Sequence, residues 1–162
     1  MEEKQKRWLI VALVIACVGV AGLAVLGVIA GIAVPAWLSS ARAANEAAVI
    51  ATLNKIAAEE QTYYREHGSY ASFDQLIEAG QLDKRFAGEF TTVAKGYIIT
   101  QNVTPKGSSA PRAFSLNADP QQNEGFSATG KRHFYMNSAD AAIHYNEEHP
   151  ATDDDPVLGS EP

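Results

Sequence analysis

From Trp8 to Val34 the chain is apolar at every position and carries no charge; Pro35 follows. Beyond the proline the pattern changes without a loop. Ala36 to Tyr64 is rich in alanine, and apolar residues such as Ile50, Leu53, Ala57 and Tyr64 recur at spacings of three, four and seven. That period predicts one long helix with a sticky face, and Asn45, Glu46, Asn54, Lys55, Glu59 and Glu60 are expected on its wet side. Gly68 is the expected stop. Pro35 lacks an N–H, and its ring presses on the carbonyl of Gly31, so a kink or a locally unwound turn is expected there.

A short second helix is predicted next, capped by Ser72, stopped at Gly80, and buried through Phe73, Leu76 and Ile77. The period then switches to alternation. Gly96 to Thr104 and Arg112 to Ala118 read as strands, the latter with Phe114 and Leu116 on one face. Lys131 to Met136 and Ala142 to Tyr145 read as a hairpin across Asn137–Asp140. Consecutive short strands predict a small antiparallel sheet packed on the distal part of the long helix, an α+β architecture. Glu147 onward, with Asp153, Asp154 and Asp155 between prolines, has little apolar content and is expected to be a disordered acidic tail.

The expected organisation is a basic cytoplasmic segment over 1–7, a transmembrane helix over 8–34 and an amphipathic stem over 35–67. A head over 68–146 and the tail over 147–162 complete it. An apolar run of this length meets the ~20 residues that a bilayer core requires. Trp8 and Trp37 would stand about 43 Å apart in a helix, close to the separation of the two membrane interfaces. Lys4, Lys6 and Arg7, against a lone Arg42, orient the N-terminus inside and the head outside the cytoplasmic membrane. The charged start also fits a secretory signal, but the apolar stretch is too long and no cleavage zone follows. Val14-Ile15-Ala16-Cys17 loosely matches a lipoprotein box, yet a small apolar helix residue is the simpler account of Cys17. Small residues recur in the run, and Gly27 and Gly31 form a GxxxG that admits close helix approach. Ala44 and Ala47 keep the start of the stem equally slim.

The net charge of −6 and sequence pI near 5.2 disfavour nucleic-acid binding, since no basic stripe lies outside the N-terminus. With one cysteine, no disulfide can close within the chain.

Three stretches together resemble a type IV pilin or a type II secretion pseudopilin. The first is Gly27–Pro35 with Ala43-Ala44-Asn45-Glu46-Ala47 and the stem through Tyr63-Tyr64. The second is Gly68-Ser69-Tyr70 with Leu76–Leu82. The third combines Gly96-Tyr97, Phe114–Pro120 and Arg132-His133-Phe134-Tyr135. The resemblance implies a long N-terminal helix bearing a sheet-containing head, and a structural subunit that joins itself or other pilin-like subunits through that helix. The family's usual cleavage glycine and nearby glutamate are missing, because Leu13–Val18 holds neither and no acidic residue lies between Glu3 and Glu46. A membrane-anchored assembly protein is therefore expected, in the inner membrane or in an extracellular filament. The alternative is an uncleaved single-pass membrane protein with a partner-binding head.

Chemistry is faint. His144 and His149 near Glu147 and Glu148 suggest a divalent-metal site, but the spacing fits no helical zinc pattern. His133 is expected on the surface of a strand. No phosphate-cradling loop, nucleophile elbow or carboxylate pair stands out, so no catalytic residue, cofactor, metal or small-molecule substrate is expected.

Overall fold

The computed structural model describes residues 3–88, 91–105 and 107–160, without the side chains of 21–22, 25–26 and 29–33. The long helix α1 spans Glu3–His67, and a short α2 spans Phe73–Glu78. The strands are β1 Thr91–Ala94, β2 Tyr97–Val103, β3 Phe114–Pro120, β4 His133–Asn137 and β5 Ile143–Asn146. They pair in sequence order as a five-stranded antiparallel meander. The chain divides into two compact units at Ser40.

In the first unit α1 stays helical through Pro35, with no unwound turn. Just beyond it the hydroxyls of Ser39 and Ser40 both donate to the Ala36 carbonyl at 2.9 Å, turning two polar groups back onto the helix. The expected transmembrane helix over 8–34 is overturned: among the described residues no helix is long and apolar enough to cross a membrane.

In the second unit Val49, Leu53, Ile56 and Glu60 recur at four, three and four along α1, and all are fully buried. Their apolar members share one core with Phe73 and Leu76 of α2 and with the inward residues of the sheet. The inward set follows the period of two: Tyr97, Ile99 and Gln101 on β2, Phe114, Leu116 and Ala118 on β3, and Phe134 and Met136 on β4.

Local signals explain the joints. Ser72 and Gln75 exchange side-chain-to-backbone bonds in a capping box at the start of α2. Gly80 closes α2 with φ +73°, its N–H on the Ile77 carbonyl and that of Gln81 on the Leu76 carbonyl, a Schellman motif. β1 and β2 join through Lys95 and Gly96, both at positive φ, as a two-residue hairpin of right-handed strand twist requires. Among the turn residues, Asn137 accepts from the N–H groups of Ala139 and Asp140 to turn β4 into β5.

The tail expected to be disordered from Glu147 instead lies along the sheet over 151–158. Tyr145 N–H donates to Pro156, Leu158 N–H donates to Ile143, and Val157 bridges His144. Ala151 is buried, and its carbonyl accepts from Asn117 on β3. Backbone and side-chain hydrogen bonds hold this strap, and Leu158 packs against the core.

Candidate functional site

Two surfaces of α1 bear on function: one turned inward to hold the head, one left bare. The inward one begins at Arg42. Its guanidinium donates to the Gly125 carbonyl at 2.6 Å and the Ala128 carbonyl at 3.4 Å, while the Asn45 amide donates to Thr129 at 2.9 Å. Glu46 follows on the same face. One carboxylate oxygen accepts from the N–H groups of Lys131 (2.8 Å) and Arg132 (3.3 Å), and the other pairs with the Arg132 guanidinium at 2.8 Å. That guanidinium lies 5.6 Å from the ring centres of both Phe134 and Tyr145. Charge, hydrogen bonds and aromatic faces thus satisfy each other inside a largely closed site.

One full stretch of stem later, Glu60 accepts from Ala71 N–H at 3.0 Å and from the Gln101 amide, which also donates to the Ala71 carbonyl at 3.0 Å. The amide oxygen of Gln101 is buried with no partner. Burial pushes the Glu60 carboxyl up to about 7, against the lowering effect of its two donors.

Glu46 and Glu60 therefore do not lie on the wet side that the helical pattern predicts. Each carboxylate meets donors far away in sequence, and a satisfied polar group is cheap to bury. His133 is likewise buried, not a surface residue, with Nδ1 2.6 Å from Asp119.

The bare surface belongs to the first unit. Trp8, Leu13, Ile15, Val18 and Leu23 are each more than 60% exposed, and Trp37 is exposed beyond Pro35. Gly27 has open space where a Cβ would stand, and Pro35, Ala44 and Ala47 are exposed. Gly31 lies in the helix, but its surroundings are outside the described residues. Lys4, Lys6 and Arg7 are exposed in the first turns, where Lys6 pairs with Glu3 at 3.8 Å. The interface and orientation roles read for the tryptophans and these cations are tied to the membrane span. Among the described residues, no cluster of three or more His, Cys, Asp or Glu is placed to hold a metal ion.

This is an α+β protein in which one helix backs an antiparallel meander with one part and offers an uncovered apolar surface with another. No family model, curated protein or solved structure matches the chain.

Proposed function

We propose that the protein is a pilin-like structural subunit that assembles through the first unit of α1. The observation that carries this reading is the bare apolar surface between Trp8 and Trp37. A helix that is apolar all round needs cover. Each large side chain covered by a neighbour contributes ~2 kcal/mol. Equivalent helices from other copies, or from related pilin-like subunits, supply that cover, and Gly27 leaves room for a partner's backbone to come close. The meander of the second unit is then the displayed part of each subunit.

The exposed Cys17 gives a direct probe. Bismaleimide coupling of the full chain is expected to join copies through Cys17, and sedimentation should show species larger than a monomer. Gly27→Leu should weaken association by ~10-fold, the cost of filling one close-packed contact. A wild-type chain that stays monomeric, or a variant that associates unchanged, would overturn the proposal.

A further inference from the structure

A cleft of about 500 Å³ opens in the second unit, where the end of α1, the outer face of α2 and the end of β2 converge. Its walls are of two kinds. Tyr63 and His67 stand one turn apart on α1 with their rings stacked at 4.0 Å, and Tyr70 adds a third ring. Facing them, α2 contributes Asp74 and Glu78. They share its outer face because Phe73 and Leu76 are committed to the core. Thr104 closes the rim.

The polar groups here are largely unspent. Asp74 gives one oxygen to Gly88 N–H at 3.1 Å, and its second oxygen has no partner among the described residues. Among the described residues the Glu78 carboxylate and the hydroxyls of Tyr63 and Thr104 have no hydrogen-bond partner either. No lysine or arginine is among the described residues that line the cleft. Contrast Glu46, whose oxygens are fully used by Arg132 and two backbone donors.

We infer that this cleft receives an arginine side chain of a peptide or protein partner. Two carboxylates disfavour an anion and favour a cation. Aromatic walls favour a cation that is planar and weakly hydrated, which selects guanidinium over ammonium. The hydroxyls supply acceptors for the remaining N–H groups. The volume admits an arginine side chain together with part of its flanking peptide. This site is independent of association through the first unit, since every residue in it lies beyond Ser40.

The test is amide and aromatic chemical-shift perturbation on the full-length protein, titrated with acetyl-Gly-Arg-Gly-amide. Matched peptides carry citrulline or lysine instead, and N-acetylglucosamine serves as a neutral ring-stacking probe. The arginine peptide should shift Gly68, Ser69 and Thr104 saturably, with the citrulline peptide weaker by ~10-fold and lysine in between. Glu78→Gln, a surface change that leaves the core intact, should weaken arginine binding by roughly 3–5-fold, and Tyr63→Leu by about as much. Equal binding of the arginine and citrulline peptides, an absence of saturable shifts, or preference for the sugar would each overturn the inference. So would an unchanged affinity in a folded Glu78→Gln protein.

Discussion

Leu53 and Ile56 are fully buried, whereas Leu13 and Ile15, on the same helix, are 66% and 67% exposed. Side chains of one chemistry thus meet two fates along α1. From Val49 to Ala57 the core face touches α2 and the sheet, so its packing contributes to the stability of a single chain. In the first unit no such layer covers the described side chains, and under the proposed reading another molecule covers the same apolar groups. The difference teaches that helix formation and helix burial are separate events here. One unit has a core of its own, and the other leaves its described apolar side chains exposed.

The largest expected effect separates the two. Leu53→Ala should destabilise the second unit by about 3 kcal/mol, the usual cost of a cavity in a closed core, seen as a lower thermal midpoint. Ile15→Ala should leave that midpoint within ~0.5 kcal/mol while weakening association. Similar losses from both changes would erase the contrast.

Next in size is acidity. In the fold Glu60 holds its proton up to about 7, above the unfolded value of 4.5. Stability should be greatest below pH 4.5 as far as this group is concerned. It should fall as pH rises from 4.5 to 7, and then level off, a total of about 3 kcal/mol. Glu60→Gln should flatten that slope in denaturant melts taken across the window. A slope that persists in the variant would assign it to other groups.

Glu46→Ala should cost about 2 kcal/mol, because it strands the Arg132 guanidinium and two N–H groups in a mostly closed site. Urea unfolding would measure it, and Arg132→Met in the same background should recover part of the loss. The smallest effect concerns His144. Its hydrogen bond to the Asp155 carbonyl, aided by Asp140, raises it above the ordinary histidine range. The strap contact should therefore be strongest below pH 6.5 and fade as pH rises past the raised value, with faster amide exchange at Leu158 and Tyr145 as the sign.

How much of this could be read in the residues depends on distance along the chain. The caps of α2 were legible because Ser72, Gln75 and Gly80 act on neighbours within a turn. The β4–β5 hairpin was legible for the same reason, through Asn137. Glu46 and Glu60 were not, since a charged residue on a helix reads as solvated until its partner is known. Arg132 and Gln101 are remote, and nothing local marks them. β1 escaped notice because Lys-Gly is a weaker turn signal than Asn-Gly and the strand has only four residues. The strap was missed because its composition is poor in apolar residues, while much of its hold comes from carbonyls and N–H groups that every residue carries. In the first unit the apolar pattern predicted a transmembrane helix over 8–34, and among the described residues no helix is long and apolar enough for one. What covers these apolar residues is not written in the pattern.

The strap over 151–158 also has a consequence for crowding. Val157 lies against His144 and seals the outer margin of β5, while β1, among the described residues, has β2 as its sole strand neighbour. A sheet with one sealed margin can accept a guest strand on the other side alone. Two such sheets that met margin to margin would form a closed couple with nowhere left to grow, so ribbon-like fibrils cannot propagate through this route.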